Sequence, residues 1–210
     1  MRSVTSFIGP VCLMLCWASA YAEEVAERPH WRIGDKWTYR AVSEPPRQES
    51  TWSREVVKTL PNNRYAVVSE TGSRQVFDDS ANGLDKRGPE YSWRRFQFPM
   101  SVGMSWKHEH KIGGEAWSGN EQSSWHVRAF EHITVPAGSF DCFRVEGEAF
   151  RGWHDMREHW QSALHGYTHT IYWYCPAVKG VARWEIINQA WVQAPRITTV
   201  SELVSYQAGE

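Results

Sequence analysis

The chain has 210 residues, 23 of them Lys or Arg against 24 Asp or Glu, with 13 tryptophans and an aromatic content of 14%. A near-balanced charge without a basic stripe gives no support to nucleic-acid binding, and no polybasic run points to a membrane surface. Beyond the first 22 residues no segment approaches the roughly 20 apolar residues that a membrane-spanning helix requires.

Residues 1–22 have the three parts of a cleavable secretory signal. Arg2 supplies the positive start, Phe7 to Trp17 the apolar stretch, and Ala20-Tyr21-Ala22 the small residues three and one before the cut. Ala18-Ser19-Ala20 is a second candidate. Cys16 follows an apolar run as in a lipoprotein signal, but the residue before it, Leu15, is not small, so the unlipidated form is expected. The expected mature chain, 23–210, is a single β-rich domain in the periplasm or secreted beyond it. It keeps two cysteines, Cys142 and Cys175, in a compartment that permits disulfides.

The mature chain reads as short alternating runs of aromatic and β-branched residues broken by Gly, Pro, Asn and Asp, the pattern of antiparallel strands. In Lys36–Val42, Trp37, Tyr39 and Ala41 share one face. Further strands are expected at Arg64–Glu70, Gln75–Phe77, Tyr91–Phe98, Met104–Ile112, Ser123–Val135 and Phe140–Phe150. Thr168–Cys175, Val181–Asn188 and Ile197–Tyr206 complete the set. Val135-Pro136-Ala137-Gly138-Ser139 and Cys175-Pro176-Ala177-Val178-Lys179-Gly180 read as hairpin turns, with Pro fixing a corner and Gly accepting a left-handed conformation. Glu44–Glu49 and Asp78–Pro89 read as exposed loops. Between Arg151 and Gly166, Trp153, Met156, Trp160 and Leu164 are spaced for one helical face, so this stretch is either a short helix or an irregular excursion. The expected fold is all-β: an antiparallel meander curled into a barrel or half-barrel.

Four motifs in order carry a resemblance: Ile33-Gly34-Asp35-Lys36-Trp37-Thr38-Tyr39, Phe98 to Trp106, Ile133 to Asp141, and Tyr172-Trp173-Tyr174-Cys175-Pro176. Over roughly 31–190 the chain resembles a broad group of exported bacterial β-rich proteins carried as a domain of unknown function. The resemblance implies a barrel-like or half-barrel sheet of the sort seen in envelope carriers of apolar ligands, and transfers no catalytic residue. The chain departs from the pattern at Cys175, where a small residue is expected, and in the Trp- and His-rich stretch 151–169.

Core packing accounts for most of the tryptophans, each of which buries a large apolar area. If a concave sheet lines a ligand cavity, the candidates are Trp37, Tyr39, Trp125, Trp173 and Trp184; candidates for exposed contact with a glycan or a protein partner are Trp117, Trp153 and Trp160. His108 and His110 share a strand face and could begin a metal site, with His154, Asp155, Glu158, His159, His165 or His169 to complete it, although solvated histidines are the plainer reading. Cys142 falls with Arg144, Glu146 and Glu148, whereas Cys175 falls with Ile171 and Trp173; opposite faces would argue against a direct bond unless a bulge or strand end intervenes. Nucleophile elbow, phosphate loop, dinucleotide fingerprint and His-Glu-x-x-His are all missing. No enzyme activity and no cofactor are therefore expected. The leading expectation is a non-catalytic envelope protein that binds an apolar small molecule or assists an envelope protein in assembly. A surface module for glycan or protein partners comes second. A hydrolase using Cys175 among histidines comes third.

Overall fold

The computed structural model describes residues 24–115, 117–155 and 164–210. The proposed signal, 1–22, and the middle of the ambiguous stretch, including Met156, Glu158, His159 and Trp160, lie outside the described residues. Among those described, thirteen strands occur. They are β1 (Val25–Ala26), β2 (Lys36–Glu44), β3 (Gln48–Leu60), β4 (Arg64–Ser69), β5 (Arg74–Phe77), β6 (Gly83–Leu84) and β7 (Met100–Ser101). Then follow β8 (Ser105–Gly113), β9 (Trp117–Val135), β10 (Gly138–Asp155), β11 (Leu164–Cys175), β12 (Gly180–Gln189) and β13 (Arg196–Gln207).

Eleven of them form one antiparallel sheet in the order β6-β5-β4-β3-β2-β13-β12-β11-β10-β9-β8. The order is two meanders, β2 to β6 and β8 to β13, joined where β13 returns to pair with β2. The expected all-β half-barrel is what the chain forms. The sheet does not close: β6 and β8 remain as its two edges. Between them runs the segment 85–99, which bonds to β8 through Arg87 Nη1 to the Gly113 carbonyl at 2.5 Å and through His108 Nε2 and the Ser92 carbonyl at 2.8 Å.

Strand register places one set of side chains on a single face across the sheet. Arg54 and Trp52 of β3 lie opposite Trp37 and Tyr39 of β2, Trp184 of β12 opposite Tyr172 of β11, and Trp125 of β9 opposite Trp106 of β8. Trp37 and Tyr39 are fully buried, and burial of each such side chain contributes roughly 1.5–3 kcal/mol. Their polar atoms are satisfied at the β11–β12 turn: Trp37 Nε1 donates to the Val178 carbonyl at 2.8 Å and Tyr39 OH to that of Val181 at 2.9 Å. Trp31 Nε1 donates to the Lys179 carbonyl there at 2.7 Å. In this turn Lys179, not Gly180, takes the left-handed conformation, with φ 51°.

Asp35 ties the same end together. Its wholly buried carboxylate accepts from Tyr206 OH at 2.8 Å, Gly209 N at 2.9 Å, Arg32 N at 2.6 Å and Lys179 Nζ at 3.0 Å. Burial alone would raise its pKa, but these donors outweigh burial and hold it below the usual carboxylate range.

Three expectations are corrected and one strand was missed. Tyr91–Phe98 is not a strand, because buried Asn82 captures its backbone: the Asn82 side-chain oxygen accepts from Arg95 N at 2.8 Å and Phe96 N at 2.9 Å. Its aromatic run is instead laid on the sheet face, with Phe96 and Phe98 against Tyr174. For the same reason Asp78–Pro89 is not simply an exposed loop; Asn82 is 4% exposed. The 13-residue strand β3 went unforeseen because Glu, Ser, Thr and Arg outnumber its apolar residues. Arg151–Asp155 and Leu164–Gly166 are strand rather than helix, since long β10 and β11 pair out to Trp153 and Leu164. Trp153 and Leu164, two of the four helix-spaced residues, are cross-strand partners instead.

Cys142 and Cys175 form a disulfide. The parity argument against it assumed that the apolar set of every strand lies on one face of the sheet. Register shows otherwise: Arg144 faces Trp173 and Glu146 faces Ile171, so the polar set of β10 and the apolar set of β11 share a face. The two cysteines sit on that shared face, one step beyond the Phe143–Tyr174 pair.

Candidate functional site

The face that carries Tyr39, Trp52 and Trp184 opens into a cavity of about 320 Å³ beneath the Trp93–Phe96 segment. Its wall is aromatic: Trp52 and Trp184 line it 5.7 Å apart, backed by Tyr39 at 4.7 Å and 4.8 Å from them, centroid to centroid. Two arginines enter it. The Arg54 guanidinium sits 5.1 Å from the Trp37 ring and within 5.8 Å of Trp31, Tyr39 and Phe77. Arg95 sits 4.4 Å over Trp93 and 5.9 Å from Tyr172. Among the described residues no carboxylate lines this cavity or pairs with either arginine. Arg54 Nε is buried without a hydrogen-bond partner. Burial pushes the Tyr39 hydroxyl pKa up, although Arg54 opposes the shift.

Trp93 closes one side of this cavity and, on its other side, begins a second hollow of about 530 Å³. Its position depends on Gly83, where an added Cβ would come 2.2 Å from Trp93 Nε1. Trp93, Trp117, Trp153 and Trp191 wall this cleft around His110, Glu121 and Arg151. The polar three form one row because register aligns His110 with Glu121 and Glu121 with Arg151 across β8, β9 and β10. Glu121 lies 3.3 Å from Arg151 Nε and 4.0 Å from His110 Nε2. Arg151 Nη2 also donates to Asn188 Oδ1 at 2.8 Å and to Thr168 Oγ1. His110 is 6% exposed and its Nδ1 has no hydrogen-bond partner. Burial lowers the His110 pKa, with Glu121 opposing the shift and His108, Arg95 and Arg151 adding to it.

Of the expected cavity residues, Trp184 lines the 320 Å³ cavity. Trp37 and Tyr39 stand behind its wall in the core. Trp125 is core as well, stacked 5.8 Å from Tyr172 and lying over Gly147, where a Cβ would meet its ring at 2.1 Å. Trp173 is buried on the opposite face, donating to Glu131 at 2.6 Å. Of the expected contact residues, Trp117 and Trp153 meet in the cleft, while Trp160 lies outside the described residues. His108 and His110 stack at 5.5 Å, and His108 is bonded to the Ser92 carbonyl. Among the described residues no group of three His, Cys, Asp or Glu could hold a metal ion; His165 and His169 lie on the other face of β11, and the side chains of His154 and Asp155 lie outside the description. Trp31, Trp52, Arg54, Trp93, Arg95, Arg151 and Trp191 were not foreseen. For Trp52 and Arg54 the Trp-x-Arg alternation in β3 was the available signal; for Trp93 and Trp191, which lie in connections, periodicity offers none.

No protein-family model matches the chain, and no curated protein matches it. Three solved structures are similar to it in backbone. The hypothetical lipoprotein YmcC from Escherichia coli is 9% identical, with 85% of this chain and 90% of that one covered and a TM-score of 0.44. A candidate exported protein with a YmcC-like fold from Bacteroides fragilis is 13% identical over 87% of this chain and 99% of that one, with a TM-score of 0.43. A candidate lipoprotein from Parabacteroides distasonis is 14% identical over 87% and 100%, with a TM-score of 0.40. Among the described residues no helix is long and apolar enough to cross a membrane.

Proposed function

We propose that the chain is an exported, non-catalytic binding protein whose 320 Å³ cavity takes an amphiphile with an apolar body and an anionic head. What carries the reading is the charge of the lining: two arginines, Arg54 and Arg95, and no acidic residue among those described. The Arg54 guanidinium, set among ring faces and bonded to the Tyr39 hydroxyl with Nε unpartnered, keeps unmet donors, and a carboxylate, sulfate or phosphate head would answer them with charge-assisted bonds. The indoles of Trp52 and Trp184 and the ring of Phe96 would cover the apolar body. A volume of about 320 Å³ lies at the lower end of the roughly 300–1,000 Å³ usual for small-molecule sites. A binding role fits the fate of Cys175, whose thiol is taken up in the disulfide, removing the nucleophile on which a hydrolase reading depended.

The test is competition for the cavity by three chains of equal length, dodecanoate, dodecanol and dodecyltrimethylammonium, against a bound fluorescent sulfonate. Dodecanoate should displace the probe at the lowest concentration and the ammonium compound at the highest. Equal displacement by all three would reduce the site to a non-selective apolar pocket, and preference for the cation would refute the reading.

A further inference from the structure

The cleft beyond Trp93 differs in chemistry from the cavity, and we infer that it is a second, independent site, for a neutral saccharide. Its walls are indoles that reach solvent: Trp93 is 37% exposed, Trp117 39% and Trp191 48%. Scattered exposed tryptophans are unremarkable, but these converge with Trp153 on one hollow of about 530 Å³. The floor is the aligned row His110, Glu121 and Arg151. The next position of that row on β11 is Gly166, where a Cβ would come 3.1 Å from the Trp153 ring and 2.6 Å from the Ala190 carbonyl. Glycine therefore leaves room for the Trp153 indole to approach the β11 backbone.

The second observation is His110 itself. It is 94% buried, it lines the cleft, and its Nδ1 lacks any partner. An unanswered buried ring nitrogen is costly unless something outside the chain completes it.

Four ligand classes can be weighed against this arrangement. An anion would meet Glu121, and the guanidinium that could balance it is already shared with Glu121, Thr168 and Asn188. A cation would meet Arg151. An alkyl chain would leave the His110 nitrogen without a partner and would bury the Glu121–Arg151 pair against hydrocarbon. A sugar ring fits best: its C–H faces lie on indoles, while its hydroxyls donate to the carboxylate lone pairs that Arg151 leaves open. On a small turn of the ring that brings Nδ1 to the cleft, a hydroxyl answers the imidazole in either tautomer, since it both donates and accepts. One pyranose has only two faces, so the indole set fits a run of linked sugars better than a single ring. The Glu121–Arg151 pair cancels its own charge, which selects neutral sugars over uronic acids or amino sugars.

Saturation-transfer NMR on the mature chain tests this, with cellotetraose, maltotetraose and chitotetraose as neutral probes and tetragalacturonate as the charged one. At least one neutral tetrasaccharide should receive saturation at its ring C–H protons, and tetragalacturonate should not. Trp191→Ala should weaken that binding by about tenfold, the scale of one lost stacking contact. Trp191 is 48% exposed, so the variant should keep its circular dichroism and unfolding temperature. Arg54→Met, altered in the other cavity, should bind the sugar as the parent does, so failure of the amphiphile reading leaves this result standing. The inference is overturned if no neutral sugar receives saturation, if Trp191→Ala binds undiminished, or if tetragalacturonate binds as well. It is equally overturned if the chain sediments as a dimer that Trp191→Ala separates, since the cleft would then be a contact between copies.

Discussion

The two hollows on one sheet face are both walled by tryptophan, and what separates them is how their arginines are answered. In the cavity, Arg54 and Arg95 meet ring faces and no carboxylate among the described residues, so positive charge is left over. In the cleft, Arg151 is matched by Glu121 and bonded to Asn188, so nothing is left over but hydrogen-bonding capacity. On the two proposed readings, aromatic surfaces of the same kind would serve different ligands, because the rings supply area and the polar residues supply the choice. The hollows also differ in support. The cavity rests on Asp35, the β11–β12 turn and the disulfide, whereas the cleft is edged by side chains that reach solvent.

The largest effect should come from removing the support of the cavity end. Asp35→Ala leaves Lys179 and the Tyr206 hydroxyl facing a vacated site and should cost about 3–5 kcal/mol in urea unfolding, the scale of a broken buried ion pair. Its folded pKa is depressed, so its contribution is present above the unfolded value near 4 and lost as pH falls through the folded value. A parent protein whose stability is flat between pH 5 and pH 2 would contradict this assignment. The double variant Cys142→Ala, Cys175→Ala comes next: the bond spans a sequence separation of 33, and its loss should cost roughly 3–4 kcal/mol. A smaller effect is expected of Arg54→Met, which should weaken dodecanoate binding by about tenfold or more, the scale of a lost charge-assisted bond, and leave dodecanol binding unchanged. Equal losses for both chains would erase the charge distinction between the hollows. The smallest effect belongs to the cleft. The folded His110 pKa lies below its unfolded value, so the unfolded chain binds the proton more readily, and stability should decline as pH drops below about 6.5. His110→Gln should flatten that part of the profile; an unchanged profile would mean that another group titrates there.

Much of the scaffold was legible in the sequence, because its strands alternate and its turns carry Pro and Gly. The resemblance motifs mark where the scaffold is tied. Trp37 and Tyr39, from the first, donate to the turn that ends the fourth, and Phe98, from the second, packs 5.1 Å from Tyr174. The hairpin of the third reaches β13 through Ala137 N to the Leu203 carbonyl at 3.0 Å. The sites were less legible for a physical reason. Alternation tells which residues share a face within one strand, but not which face of the next strand they join. That choice depends on register, and bulges such as the one between Trp173 and Tyr174 reset it. The same gap misjudged both the cysteines and Trp173. Trp93 and Trp191 were beyond reach altogether, since their places depend on Gly83 and on the β12–β13 connection rather than on any period.

The open edges have a consequence for timing. In a closed barrel, admitting a molecule from the side means breaking a strand ladder, so exchange is as slow as partial unfolding. Here β6 and β8 face the segment 85–99 instead, and that segment is joined to β8 by side chains such as Arg87 and His108. Such contacts can part and re-form one at a time while the ladders on either side stay intact. If the cavity binds as proposed, residence time would be set by how this segment is held, the Asn82 bonds and buried Phe96 included, and not by the stability of the sheet, so a very stable protein of this design could still load and unload.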